Sequence, residues 1–282
     1  MSLPADPRWN VDTERGLLHP GVLTVLADTT CGGAVGFALK KPTTLATLDL
    51  RMDYLRAPLA GQDVVCVGDC YRITRSVAFA RGLLTQDDPT RPVAEIQATF
   101  MLNTPSGPRR AEATTIEAGI DPRMVAAPPA PQGWQAPGSD APIPLDREVP
   151  YAGYLGIRVV REPDRLLFRM PYRDDLVGNP NLPALHGGVV AAFAESSALL
   201  HLVLALDGSR YPKGIDFSAD YLRPGRPLDT WAQCDIVRLG SRVALVQIRC
   251  WQTDPASPVL VARGHYLLSD DPARAPAKAP EG

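Results

Sequence analysis

Two acidic residues interrupt long apolar segments of the chain, each nine positions after a histidine. Residues 186–195 read HGGVVAAFAE and end on Glu195, and residues 19–28 read HPGVLTVLAD and end on Asp28. A carboxylate in apolar surroundings has a raised pKa and is a stronger base, which suits it to proton transfer or to nucleophilic attack. The alternative is structural: a lone acid in a helix that faces water or binds a nearby backbone group.

Both segments belong to an internal repeat. A shift of 167 positions places residues 19–28 on 186–195, and it places LDLRMDYLRAP (48–58) on IDFSADYLRPG (215–225). After a gap of one residue the match continues through residues 77–102. A match of this length predicts two copies of one structural unit.

The repeat sets the predicted domain boundaries. The first unit is assigned to residues 4–102 and the second to residues 147–270. Residues 103–146 are rich in proline and are predicted to form a linker, and residues 271–282 are predicted to be a disordered tail.

The second unit has additional strand candidates at 154–160 and 165–172. Their counterparts in the first unit would precede residue 1. We expect that the first unit lacks its opening strands, either naturally or because the chain is cut from a longer one.

Each unit has the same predicted order of elements: a glycine-containing turn, one long apolar helix and four strands. The strands are predicted at 45–56, 63–74, 77–86 and 92–102, and at 212–223, 229–240, 242–253 and 258–268. A helix that is apolar on every side must be enclosed. The pattern therefore predicts an α+β fold in which a curled antiparallel sheet wraps around one long central helix.

Composition narrows the classes of function. The 282 residues carry a net charge of −2 without a basic tract, so nucleic acid is not an expected partner. Five cysteines without a framework pattern and no recognisable signal peptide predict a cytoplasmic protein. Polar residues interrupt both long apolar segments, so buried helices are favoured over membrane spans. No motif for a metal, a nucleotide or a retained cofactor is present.

The segments HGGVVAAFAESS and HPGVLTVLADTT, each followed by a DYLRP-like strand, resemble the hotdog-fold acyl-CoA thioesterases. Within that family the branch typified by the phenylacetate-pathway thioesterase is the most similar. The resemblance covers residues 19–102 and 151–268 and implies a tandem hotdog fold, one chain imitating the usual homodimer. It implies hydrolysis of acyl-CoA thioesters, with coenzyme A entering only as part of the substrate. The alternatives are a non-catalytic acyl-CoA sensor and a hotdog dehydratase.

The resemblance also implies that each active site is shared between the two units. The residue after the histidine would donate its backbone N–H to the oxyanion, and the acid would come from the other unit. One composite site then pairs Gly187 with Asp28. The other pairs Pro20 with Glu195, and proline has no N–H to donate.

Further positions carried over from the family favour the first of these sites. Thr47 is expected beside Asp28, whereas Gly214 stands at the equivalent position and would leave Glu195 without a hydroxyl partner. Asn181, in the loop before the histidine of the second unit, is expected to help hold the attacking water.

The remaining candidates concern substrate binding and assembly. His19 and His186 are expected to shape the turns and, with Gly188, to line the substrate site. Arg56 and Arg223 are candidates for contact with coenzyme A phosphates. We expect a homodimer of tandem chains. The predicted catalytic residues are Asp28, Gly187, Thr47, Asn181 and Glu195.

Overall fold

The structure is a computed structural model that describes residues 1–11, 15–40, 43–103, 149–179, 184–207 and 210–270. The predicted tail, and the predicted linker apart from residue 103, lie outside the described residues. So does Asn181.

Three α-helices are present in these ranges: α1 (Pro20–Leu39), α2 (Pro150–Leu155) and α3 (Gly187–Ala205). The two long helices, α1 and α3, are the repeated apolar segments. Each follows a capping histidine whose ring accepts a hydrogen bond from the N–H of the second helical residue, a donor that has no partner within the helix.

Strands fill most of the remaining described residues, and each predicted strand of the repeat is confirmed. The first unit contains β1 (Ser2–Leu3), β2 (Leu45–Tyr54), β3 (Val64–Ile73), β4 (Val77–Thr85) and β5 (Ala94–Leu102). The second unit contains β6 (Arg158–Arg161), β7 (Leu166–Met170), β8 (Val177–Asn179), β9 (Ala184–Leu185), β10 (Arg210–Tyr221), β11 (Thr230–Leu239), β12 (Val243–Trp251) and β13 (Leu260–Asp270).

The prediction of a strand over 154–160 is wrong in its first half. Residues 154 and 155 still belong to α2. This helix starts with Pro150, at a position where the missing N–H costs no helical hydrogen bond, and it is capped by Gly156. Gly156 adopts the left-handed conformation (φ 71°) that terminates helices, and β6 follows it.

One continuous sheet of eleven strands joins the two units, in the order β1-β3-β4-β5-β2-β10-β13-β12-β11-β7-β6, and every pair is antiparallel. The units meet where β2 pairs with β10, with Asp53 opposite Asp216 and Asp49 opposite Asp220. The repeat is therefore also a spatial pseudo-symmetry. Even the irregularities correspond, because β2 has a bulge between Thr47 and Asp49 and β10 has one between Gly214 and Asp216.

The sheet wraps around both long helices, so the predicted tandem hotdog fold is confirmed. Both helices are long and apolar enough to cross a membrane by length and composition alone, and a core helix passes the same test. Most residues of α3 and half of the corresponding window of α1 are buried inside the protein.

The two helices pack against each other in antiparallel directions, because the start of each contacts the interior of the other. A Cβ atom on Gly188 would lie 2.9 Å from Cα of Val25, and one on Gly21 would lie 3.2 Å from the carbonyl oxygen of Ala192. Glycine at these two positions lets the helix backbones approach. This packing brings the start of one unit's helix to the acid of the other.

Candidate active site

The first junction between the units contains Asp28. This carboxylate projects from α1, is only 5% exposed, and its Oδ2 accepts a 2.6 Å hydrogen bond from the backbone N–H of Gly188. The N–H groups at a helix start carry partial positive charge, so they stabilise a carboxylate held there. A residue 160 positions away along the chain thus positions Asp28.

The second carboxylate oxygen of Asp28 is held by Thr47. The Thr47 hydroxyl donates to Oδ1 at 2.8 Å from the bulge in β2. With one donor on each oxygen, the orientation of the carboxylate is defined.

Gly187 lies directly against this carboxylate. A Cβ atom on Gly187 would stand 3.1 Å from Asp28 Oδ2 and 3.3 Å from the Thr47 hydroxyl, so only glycine leaves space there. Its carbonyl accepts a 3.1 Å hydrogen bond from the Tyr221 hydroxyl. Its N–H has no acceptor within the described part of the chain, as expected for the first residue of a helix.

His186 completes the turn before α3. Its Nδ1 accepts from the N–H of Gly188 at 3.0 Å and lies 3.3 Å from Asp28 Oδ2, and its Nε2 is 3.2 Å from the Thr29 hydroxyl. Because Nδ1 accepts from a backbone N–H, we assign the tautomer with the proton on Nε2, which then donates a hydrogen bond to the Thr29 hydroxyl. The N–H of Gly188 donates to both Asp28 and His186, and its place in the substrate site stays a prediction.

Glu195 at the second junction has a different environment. It is completely buried, and its two oxygens accept hydrogen bonds of 2.7 Å from the hydroxyls of Thr24 and Tyr54. The expectation that Glu195 has no hydroxyl partner is therefore wrong. Burial raises the pKa of Glu195 to about 7, although both hydrogen bonds act in the opposite direction.

Tyr54, the hydroxyl partner of Glu195 that the sequence did not predict, fits because residue 214 is a glycine. A Cβ atom at Gly214 would lie 3.0 Å from the ring of Tyr54, so the missing side chain makes room for the tyrosine. Gly214 is the counterpart of Thr47 in the repeat, so Tyr54 takes the place of the missing hydroxyl side chain at Glu195. The repeated Asp-Tyr-Leu-Arg sequence marked both Tyr54 and Tyr221 as equivalent, but their roles differ.

The start of α1 offers no equivalent of Gly187. Pro20 is its first residue, and the next N–H, that of Gly21, donates to Nδ1 of His19 at 3.1 Å. His19 is 1% exposed, and burial lowers its pKa to about 3, so the ring is neutral. Tyr151 from α2 covers this turn, with its ring 4.8 Å from that of His19. The structure gives His19 a capping role and no open surface for a substrate.

The two predicted arginines lie just after equivalent strands. Arg56 Nε donates to the carbonyl oxygen of Arg91 at 3.1 Å, and Arg223 Nη1 donates to that of Pro258 at 2.8 Å. These contacts hold the guanidinium groups at the strand ends, and their binding to phosphate stays a prediction. In the described ranges, no group of three or more His, Cys, Asp or Glu side chains is arranged to hold a metal ion.

Comparison with known proteins agrees with this architecture. The family model of the thioesterase superfamily matches residues 15–93 and 182–259, one segment in each unit and together more than half of the chain. A search of curated protein sequences found no match.

Several solved structures share the fold over nearly the whole chain. A putative thioesterase from Novosphingobium aromaticivorans is 18% identical with a TM-score of 0.66, and covers 95% of this chain and 94% of its own. The tesB protein of Mycobacterium avium subs paratuberculosis is 12% identical with a TM-score of 0.66, covering 95% and 92%. An acyl-CoA thioesterase II from Mycobacterium marinum is 14% identical with a TM-score of 0.57, covering 89% and 92%.

At these identities the structural matches establish the fold alone, and the family model establishes the family. Both repeat units carry the match, and the helix start and the acid that meet at each junction come from different matched segments. The chain belongs to the thioesterase superfamily and is a thioester hydrolase with a tandem hotdog fold.

Proposed function

We propose that the protein hydrolyses acyl-CoA thioesters at the first junction, between Gly187 of α3 and Asp28 of α1. The observation that carries this proposal is the contact between an oriented carboxylate and a helix start whose first N–H has no acceptor among the described residues. The Mycobacterium marinum relative, described as an acyl-CoA thioesterase II, supports the choice of coenzyme A as the thiol part of the substrate.

The N–H of Gly187 would stabilise the oxygen of the thioester carbonyl. Attack on that carbonyl moves negative charge onto the oxygen, and a preorganised donor at this point contributes about 10²–10³ in rate. The donor at the start of a 19-residue core helix is rigidly held, and the helix dipole adds to its effect. The missing side chain of Gly187 lets the Asp28 carboxylate and the Thr47 hydroxyl come close to its backbone.

Asp28 would supply the attacking group. As a general base it removes a proton from water, the water oxygen bonds to the carbonyl carbon, and the C–S bond breaks to release the thiol. As a nucleophile it bonds to that carbon itself, the C–S bond breaks and the thiolate leaves, and water then hydrolyses the mixed anhydride to the carboxylic acid and free Asp28. Both routes need the orientation that Gly188 and Thr47 provide.

The second junction would not hydrolyse the thioester. Pro20 has no N–H, the N–H of Gly21 is bound to His19, and Glu195 is enclosed by two hydroxyls. We therefore propose one active site in each chain.

Matched isosteric variants test this assignment. With a panel of acyl-CoA substrates and a thiol reagent, Asp28→Asn is expected to lower kcat by about 10²–10⁴, because it removes the base or nucleophile. Glu195→Gln is expected to stay close to the wild-type rate. Equal losses in the two variants would refute the single-site proposal, and binding of acyl-CoA without any hydrolysis by the wild type would favour a sensor.

A further inference from the structure

A cleft opens beside the second junction. It has a volume of about 200 Å³ and lies between the start of α1, the end of β2 and the start of β10. Its walls include Leu17, Pro20, Tyr54, Tyr211, Gly214 and Ile215.

The internal repeat relates this cleft to the proposed active site. Three lining residues have counterparts at a distance of 167 positions. Pro20 corresponds to Gly187 and Tyr54 corresponds to Tyr221. Gly214, which belongs to the second unit, corresponds to Thr47. At the first junction, the Asp28 carboxylate, the Thr47 hydroxyl and the ring of Tyr221 lie 3.1 to 3.3 Å from the Cβ position of Gly187. The cleft is thus the second copy of the surface at which the substrate is proposed to bind.

The cleft has lining residues equivalent to those of the proposed active site, but it lacks an accessible carboxylate and an N–H donor. Tyr54 lines it, and the Tyr54 hydroxyl is bound to Glu195, which is 0% exposed and is not among the lining residues. A ligand in the cleft therefore contacts the tyrosine ring rather than the carboxylate. At the position of the oxyanion donor it meets the ring of Pro20.

The chemistry of the lining favours an apolar group that carries an anion. Most lining side chains are apolar, and two cationic residues, Arg56 and the exposed Lys213, belong to the same wall. Arg56 has a weak ion pair with Asp87 at 3.8 Å and lies near Asp88 as well. Pockets that bury a whole drug-sized ligand have roughly 300–1,000 Å³. A cleft of about 200 Å³ therefore receives a short acyl chain or one ring, and the charged remainder lies outside beside the cations.

We propose that this cleft binds the acyl group of the enzyme's own ligands, with their anionic part at Arg56 and Lys213, and does not hydrolyse them. The ligand is either the intact acyl-CoA or the carboxylic acid product, which share an apolar acyl group and negative charge. The inference rests on the proposed function, since it takes the ligand from the reaction at the first junction.

Calorimetric titration of the Asp28→Asn protein tests the proposal, because its acyl-CoA ligand stays intact. We expect two equivalents of acyl-CoA per chain. Ile215→Trp, added to fill the cleft, is expected to leave one equivalent. Leu48 is the residue equivalent to Ile215 at the first junction, so Leu48→Trp is the matched control and is expected to remove the other equivalent.

A milder variant covers the case in which tryptophan disturbs the bulge in β10. Lys213→Glu, at an exposed position, is expected to raise the dissociation constant of the second equivalent roughly fivefold, since it replaces a weak attraction with a weak repulsion. Titration with the free carboxylic acid in place of acyl-CoA shows which of the two ligands, the intact acyl-CoA or the product acid, binds the cleft more tightly.

The outcomes separate this proposal from the proposed function. One equivalent of acyl-CoA, or a second equivalent that neither Ile215→Trp nor Lys213→Glu changes, would overturn the second binding site while hydrolysis by the wild type stands. Two equivalents with a wild type that hydrolyses no acyl-CoA would overturn the proposed activity instead.

Discussion

Asp28 and Glu195 occupy equivalent positions of the repeat, but different donors hold them. A backbone N–H and one hydroxyl hold Asp28, next to the partly exposed Gly187. Two hydroxyls enclose Glu195, and no part of it is exposed. Glu195 binds the Thr24 side chain inside α1, whereas Asp28 binds an N–H at the start of α3, so equivalent sequence positions do not give equivalent chemistry.

The raised pKa of Glu195 predicts a pH-dependent stability. Its folded-state pKa of about 7 exceeds the ordinary 4.5, so the folded protein binds the proton more tightly and loses stability as the pH rises between these values. Each pKa unit corresponds to about 1.4 kcal/mol, so Glu195→Gln is expected to be more stable than the wild type by about 3 kcal/mol at pH 8. Urea denaturation should show that difference decrease towards zero near pH 4.5. A stability difference between Glu195→Gln and the wild type that does not vary with pH would contradict the raised pKa of Glu195.

The two threonine hydroxyls offer a matched test of the carboxylate roles. Thr47→Val removes a hydrogen bond to Asp28, which for a charged acceptor is worth roughly 1.5–3 kcal/mol, and is expected to lower kcat at least about tenfold. Thr24→Val removes the corresponding bond to Glu195 and is expected to leave kcat unchanged. Steady-state kinetics of the two variants would contradict the proposal if Thr24→Val caused the larger loss.

At the scale of the elements, the close antiparallel contact of α1 and α3 creates the first junction. The helices approach because Gly21 and Gly188 have no side chains at the contact. The same glycine that permits the approach donates its N–H to Asp28, so packing and site geometry depend on one residue.

Gly188→Ala is expected to separate the two helices. Its Cβ would meet the backbone Cα of Val25 at 2.9 Å, which cannot move aside as a flexible side chain does, and such overpacking costs about 1–3 kcal/mol. Gly33→Ala, at an exposed position of α1 with nothing within 4 Å, is the control and is expected to gain about 0.5–1 kcal/mol. Chemical denaturation measures both. Equal stability of the two variants would contradict the close helix contact.

At the scale of the whole molecule, the outer face of the sheet differs between the units. Val67 and Leu83 are cross-strand partners in the first unit and are 65% and 44% exposed. The equivalent residues of the second unit, at a shift of 166, are the polar Gln233 and Arg249. Exposed apolar patches of this kind mark association surfaces.

From this asymmetry we predict that the expected homodimer of tandem chains associates through the first unit. We expect light scattering during gel filtration to give twice the chain mass of 30.4 kDa, with Val67→Arg shifting the protein to a single chain mass. Gln233→Arg, at the equivalent position of the second unit, should leave the dimer intact. A single chain mass for the unmodified protein would refute the dimer.

The repeat, the strand positions and the two wrapped helices followed from the sequence alone, because periodicity and internal similarity are properties of the chain itself. The position of α2 did not follow, because Pro150 and Gly156 enclose less than two helical turns, too few residues to show a helical period. Asp28, Gly187 and Thr47 were predicted together only through the family resemblance, and the structure brings these three residues into contact.

The partners of Glu195 depended on tertiary structure. In the sequence, Gly214 indicates a missing hydroxyl, whereas in the folded protein it is the space that Tyr54 fills. Which donor reaches a buried carboxylate depends on helix packing, strand register and side-chain length together, and those distances exist only after both units have joined into one sheet. Sequence determined that there are two acids in equivalent positions; three-dimensional packing decided that one meets the N–H groups of a partly exposed helix start and the other a pair of hydroxyls.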